Sequence, residues 1–350
     1  MREIWVAGCP SFVGGADTEL YHQIILWRQA DIPVVVVPNG RGCLHPKIKA
    51  HLEQIGCKIE AFNPAVFGGK IVVNYCNGPA LSHLDNLTAA PAAYVFFNCM
   101  TWVFPQEIKH LKSRKITHLG FVSNYQKQLL LEAYARELPD LKMDGAIQLG
   151  RNFAAEVEYF PYFDISQYPV FKKSADYFGV GRISRDDPAK FSPDCWRIFE
   201  RVLSPIPKKV FVLGYTNKIE EKIGKPPPGL DFMWWTPGLV TAEEFYAKID
   251  CMIHKTGGSR ESYCRVLVEA MAHGVVPLVE RAFAFPEILG GDARMNWLMC
   301  DSSDEMSFKA SQLAFDPAML KYYKTAVRRY VQKHLVDPKR SLRGWRKLLG

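Results

Sequence analysis

The pattern that most constrains this chain is an alternation of short β-branched runs with amphipathic stretches, which proceeds, breaks near the middle and starts again. Such alternation is the mark of a parallel sheet whose strands are joined by crossover helices. In the first half, Ile4–Gly8, Val34–Val37, Ile71–Tyr75, Tyr94–Phe97 and Leu119–Val122 read as buried strands, with helices expected at Glu19–Arg28, Lys47–Gln54 and Tyr125–Glu137. The aromatic segment Phe160–Lys173, with Pro161 and Pro169, interrupts the rhythm. It resumes with strands at Tyr177–Val180, Val210–Leu213, Phe232–Trp235, Met252–His254 and Val275–Val279. Helices near Asp194–Leu203, Ala242–Lys248, Val266–His273 and Asp304–Leu313 alternate with them. A chain of 350 residues exceeds one ordinary core. The expectation is an α/β chain of two doubly wound domains facing a cleft: residues 1–165, a linker at 166–176, residues 177–316, and a helical segment 317–350 closing back toward the first domain.

Composition removes several alternatives. An apolar share of 48% with 23% charged residues is that of an ordinary globular protein rather than a disordered one. The longest apolar candidate, Tyr94–Phe104, is interrupted by Asn98 and Thr101 and falls short of the roughly 18 residues a membrane-spanning helix needs. Met1-Arg2-Glu3 runs into a strand without a signal-peptide pattern, so a cytoplasmic chain is expected. Nine cysteines, an odd number with no CxxC pair, indicate neither a disulfide framework nor a zinc ribbon. The net charge of +8 suits an anionic partner without naming it. Much of it lies in the tail, at Lys321, Arg328, Arg329, Arg343 and Lys347 among others, and reads as the solvated face of a closing helix. Trp345 and Leu348 keep peripheral contact with an anionic membrane open. No nucleic-acid partner is expected.

The most informative stretch runs from Gly257 to Gly274, Gly-Gly-Ser-Arg-Glu-Ser-Tyr-Cys-Arg-Val-Leu-Val-Glu-Ala-Met-Ala-His-Gly. It follows a strand, opens as a loop of small polar residues and becomes a helix. A helix beginning there makes an anion site, because its first N–H groups are unpaired and point outward. Glu269 lies in an almost wholly apolar helix, so its carboxylate needs donors to accept from, such as the hydroxyls of a ribose. Glu261, eight residues earlier, stands on the loop and can face a cleft. A capping glutamate and an internal salt bridge are the plainer alternatives.

Glu261 and Glu269 match the E-x7-E signature of retaining GT-B glycosyltransferases, and Glu269-Ala-Met-Ala-His-Gly-Val-Val-Pro-Leu-Val resembles glycosyltransferase family 4. The resemblance extends over most of the second half and more weakly over the first. It implies a sugar transferred with retention from a nucleotide diphosphate donor to a hydroxyl acceptor, without a metal. Gly179-Val-Gly-Arg-Ile-Ser resembles the opening of the family's donor domain, which makes Arg182 and Lys190 the pair expected to neutralise the donor diphosphate, Lys190 standing two residues further along than is typical. Glu261 would hold hydroxyls of the sugar. Ser259, Tyr263, Cys264, Arg265 and Val266 would line the sugar and phosphate, and Glu269 would bind the ribose. Pro237-Gly-Leu-Val240 resembles the turn beside the base, with Val240 in contact with it. In the first half, Gly14-Gly15 resembles the family's glycine-rich phosphate turn.

Two departures accompany the match. Tyr263-Cys264 stands where the family often has Phe-Gly, and Asn98 stands where many members place a histidine near the acceptor. No Asp-x-Asp and no His-x-x-x-His occurs, so no metal is expected. Gly8-Cys-Pro-Ser-Phe-Val-Gly14-Gly15 does not fit G-x-G-x-x-G, which argues against a nicotinamide dehydrogenase. A nucleotide-sugar epimerase of the same shape and a non-catalytic nucleotide-sugar-binding protein are the remaining alternatives.

Overall fold

A computed structural model describes residues 2–11, 14–38, 44–138 and 154–350. The chain divides into two compact units, Met1–Phe163 with Asp337–Gly350, and Asp164–Val336.

The first unit carries seven strands: β1 (Ile4–Ala7), β2 (Val34–Val37), β3 (Lys58–Ile59), β4 (Ile71–Tyr75), β5 (Ala93–Phe97), β6 (His118–Gly120) and β7 (Ala155–Glu156). They form one sheet in the order β3-β2-β1-β4-β5-β6-β7, and every pairing is parallel. The four valines of β2 are all buried because helices cover both faces, which is why the strand reads as an unbroken apolar run. Successive side chains serve opposite faces: Val34, Val36, Ile71 and Val73 join one core cluster, and Val35, Val37 and Val72 the other. The last helix, Pro338–Leu349, belongs to this unit, with Leu342, Trp345 and Leu349 buried in the first cluster. Trp345 is fully buried and meets Trp27 edge-on at 4.8 Å between ring centroids. The aromatic side chain that left membrane contact open is therefore core.

The second unit contributes β8 (Phe178–Ile183), β9 (Lys208–Leu213), β10 (Phe232–Trp235), β11 (Cys251–His254), β12 (Val276–Glu280) and β13 (Met299–Cys300). Its parallel sheet runs β10-β9-β8-β11-β12-β13. Both sheets thus share the 3-2-1-4-5-6 order of a Rossmann-like fold, in which the strand order reverses between the first and fourth strands. Ligands of such sheets lie beyond the carboxyl ends of the strands at that reversal, here between β8 and β11 and between β1 and β4. The segment expected as one closing tail, 317–350, is split: the helix Pro317–Tyr330 stays with the second unit and Pro338–Leu349 with the first. Asp337 caps the latter, accepting from the Arg340 amide. Among the described residues, no helix is long and apolar enough to cross a membrane.

Candidate functional site

The strand-order reversal of the second unit lies between β8, which carries Arg182, and β11, which ends at His254. The loops leaving these two strands are stitched together. The amides of Gly257 and Ser259 both donate to the Ala189 carbonyl at 3.0 Å. Lys222 Nζ donates to the carbonyls of Pro188 at 2.6 Å and Gly257 at 2.7 Å. Gly257 is required by this approach, since a Cβ there would stand 1.8 Å from the Phe191 carbonyl oxygen.

This stitching brings charged side chains together. Lys190 Nζ lies 2.8 Å from Glu261 Oε1, and His254 Nε2 lies 3.2 Å from the same oxygen. Cys264 Sγ is 3.6 Å from His254 Nε2. Arg182, 2% exposed, donates one N–H to the Lys190 carbonyl and lies over the Phe191 ring. Its Nε and other terminal nitrogen are buried without a partner among the described residues. A guanidinium stays charged, and leaving its buried donors unmatched costs about 1–3 kcal/mol each. Such a group is retained where an anion completes it.

The electrostatics agree. Burial pushes the Glu261 carboxyl up, but the His254 hydrogen bond and the Lys190 charge outweigh it and hold the group well below the usual carboxylate range. Burial and then the Arg182 charge push His254 down to about 4, so the ring is neutral beside an ionised Glu261. His254, Glu261 and Cys264 offer three metal-type donor atoms within 4.8 Å of one another. Lys190 on the carboxylate and Arg182 nearby make that place repel a cation and attract an anion.

The helix Arg265–Ala272 starts beside this cluster, with Cys264 at its N-cap in the left-handed region, φ 57°. Among the described residues, neither the Cys264 nor the Val266 amide has a hydrogen-bond partner. Unpaired first-turn donors add to the anion-attracting field. Tyr263 stands half-buried on the loop before the cap, and the Ser259 hydroxyl is buried without a partner.

Further along the helix, Glu269 stands beside Arg265, whose Nε lies 3.6 Å from its Oε1. Burial raises its carboxyl, with Arg265 opposing. Arg265 also hydrogen-bonds the Tyr168 hydroxyl. Glu269 and Arg265 thus form a second group, set apart from the Lys190–Glu261 pair.

Other expected positions lie elsewhere. Val240 follows a turn held by the Leu239 amide on the Thr236 carbonyl, and its side chain packs half-buried against an apolar core cluster of the second unit. Gly14 and Gly15 belong to the first unit, where Gly14, at φ 90°, precedes the helix Gly15–Gln29 and its carbonyl accepts from the Thr18 amide and hydroxyl. Ser123 caps the helix Asn124–Glu137 through the Gln126 amide.

Asn98 turns inward. Its Nδ2 donates to Glu107 Oε2 at 2.8 Å and to the Trp102 carbonyl at 2.7 Å, while its Oδ1 accepts from the Met100 amide. Glu107 also accepts from the Phe104 amide and the Tyr134 hydroxyl, and burial raises its carboxyl to about 7. This side chain pins the loop after β5, with both its amide nitrogen and its oxygen engaged there.

His254 is the residue that motif reading missed. A lone imidazole ending the apolar run Cys-Met-Ile-His at the carboxyl end of a central strand was the available signal. A cavity of about 510 Å³ beside the helix Pro317–Tyr330, lined by Arg294, Tyr322, Arg329 and others, holds none of these residues.

No family model matches the chain, and no curated protein sequence does so significantly. Solved structures do match. TarM from S. aureus, in complex with fondaparinux, alpha-GlcNAc-glycerol and UDP, aligns at a TM-score of 0.69 and 12% identity over 100% of both chains. HepE from Anabaena, in complex with UDP and glucose, aligns at 0.66 and 16% over 99% of each chain. Sucrose-phosphate synthase from Thermosynechococcus elongatus aligns at 0.66 and 12%, again over 99% of each. The chain therefore has the two-unit, Rossmann-like GT-B fold of these proteins.

Proposed function

We propose that this chain is a retaining glycosyltransferase that moves a hexose-type sugar from a nucleotide diphosphate donor to a hydroxyl of a carbohydrate or lipid-linked acceptor, without a metal. The observation that carries the proposal is the Lys190–Glu261 ion pair at the strand-order reversal, with buried Arg182 bonded to the Lys190 carbonyl and holding unmatched donors, beside unpaired helix amides. The fold's relatives crystallised with UDP, glucose or UDP with a GlcNAc-glycerol support the same reading.

In this reading the orphaned donors of Arg182 and the Lys190 ammonium take the diphosphate, whose negative charge grows as its bond to the anomeric carbon breaks. The amides of Cys264 and Val266 add to that stabilisation. Glu261 accepts from hydroxyls of the sugar, and Glu269 from the ribose. The new bond forms from the acceptor oxygen on the same face, and the acceptor proton passes to the departing phosphate oxygen. No protein nucleophile is required; position and fixed charge supply the catalysis.

A thermal-shift panel of UDP-glucose, UDP-N-acetylglucosamine, GDP-mannose and ADP-glucose tests the donor class, because a ligand that binds the folded state raises the melting temperature. One member is expected to stabilise the chain and to release its nucleoside diphosphate when an acceptor is supplied. Recovery of an epimer without nucleoside diphosphate would transfer the site to a nucleotide-sugar epimerase. Stabilisation by none of the four would remove the proposal.

A further inference from the structure

His254 has no place in the E-x7-E motif, yet it is 1% exposed and sits at the centre of the cluster. Its Nε2 and the Lys190 ammonium both meet Glu261 Oε1, at 3.2 and 2.8 Å. Glu261 Oε2 accepts a hydrogen bond from no described residue. An ionised carboxylate offers about four lone-pair positions, so the oxygen without a protein donor is the one left for an outside hydroxyl. His254 Nδ1 is sealed off without a partner. A neutral imidazole that bonds a carboxylate through one nitrogen and nothing through the other carries its proton on the bonded nitrogen.

The neutrality has a use. Glu261 already has a cation in Lys190, and a second would tie the carboxylate to the protein. A neutral N–H fixes the orientation of the group and leaves its charge in place. The ring itself is held on two sides: Phe285 meets it edge-on at 5.7 Å between centroids, and the Cys264 thiol lies against Nε2. Cys264 occupies a backbone region that favours glycine, so a side chain is kept there against a steric cost. That side chain closes the space beside the imidazole.

We propose that His254 is the positioning residue of this site, holding Glu261 so that Oε1 faces Lys190 and Oε2 is presented to a hydroxyl of the transferred sugar. The proposal rests on the donor reading above. His254 acts through Glu261 and not on the substrate, so its removal separates sugar recognition from nucleotide recognition.

The test compares binding of the stabilising nucleotide sugar from the panel with binding of its nucleoside diphosphate alone. His254→Leu is expected to weaken the nucleotide sugar about tenfold and raise its KM, with nucleoside diphosphate affinity within about twofold of wild type. His254→Gln, whose amide restores a donor near the same place, is expected to recover most of the loss. A Leu variant that binds the nucleotide sugar as well as wild type overturns the proposal while leaving the donor reading intact. So does a Leu variant that loses both ligands equally, which marks a general structural role. Should the Leu variant fail to fold, nitrogen-15 NMR of wild-type histidines decides: a neutral Nε2–H ring for His254 at pH 7 supports the proposal, and a charged or Nδ1–H ring overturns it. A wild-type chain that binds no donor removes the donor reading and this proposal together.

Discussion

The two units share one strand order, yet the Asn98 group of the first and the Arg182 group of the second are arranged differently. In the first unit, Asn98, Glu107, Gln126 and Tyr134 bond one another and the loop after β5. In the second, among the described residues, Arg182 and the Ser259 hydroxyl are buried with donors unspent, and Glu261 keeps one oxygen unshared. A saturated network stabilises the protein that contains it, whereas buried donors without acceptors cost stability. The first unit also buries polar atoms unmatched by any described residue, those of Gln23 and Trp27 included; what singles out the second is that its unmatched Arg182 donors stand beside a Lys190–Glu261 ion pair and a helix start.

The largest effect that would break this contrast is on turnover. Glu261→Ala is expected to reduce sugar transfer at least a hundredfold, comparable to loss of one preorganised transition-state contact, with nucleoside diphosphate binding retained. Initial rates with the donor chosen by the thermal-shift panel would measure it, and unchanged turnover would take Glu261 out of the site.

The first unit is expected to answer with stability in place of activity. Asn98→Ala leaves buried Glu107 short of a donor and the Met100 amide short of an acceptor, and should lower unfolding free energy by about 3 kcal/mol. Donor affinity should not move. Urea unfolding alongside calorimetric titration separates the two, and a weakened donor with undiminished stability would reverse the assignment.

A pH effect of about 3 kcal/mol should follow from Glu107. Its folded value, about 7, stands above the ordinary 4.5, so the neutral form is favoured by folding. The stability it contributes is complete below about pH 4.5 and is lost as pH rises through about 7. Glu107→Gln should flatten the melting temperature across that interval; a slope that survives the substitution belongs to another group. Glu261 has the opposite sign, since its depressed value makes its contribution disappear on acidification. The smallest expected effect is at Gly14, where an alanine forced to φ 90° should cost about 1 kcal/mol by thermal unfolding.

Much of this arrangement is legible in the residues. The buried central strands announce themselves as β-branched runs, and Val34–Val37 and Phe232–Trp235 lie where the alternation puts them. Short edge strands do not: Lys58–Ile59, Ala155–Glu156 and Met299–Cys300 have two residues each, too few for a period to show. The helix Pro105–Lys112 was unmarked because its start borrows Glu107, a residue spent on the buried network. Glu261, Arg182 and Lys190 could be picked from the resemblance to the E-x7-E and donor-domain motifs, and the structure brings Lys190 to Glu261 because the loops leaving adjacent parallel strands lie side by side. His254 could not, since its role depends on which oxygen of Glu261 it meets, and that is a matter of side-chain geometry. The split of the tail at Asp337 was equally hidden, a single capping aspartate separating two basic helices of similar composition.

The claim beneath all of this is that an anionic diphosphate completes Arg182. Titration calorimetry of the full chain with UDP, GDP and ADP, repeated on Arg182→Met, measures it directly. One of the three should bind the wild type and lose at least tenfold in affinity in the variant, which should be no less stable, because the unmatched donors have gone. Equal binding by wild type and variant, or binding of none of the three, contradicts it.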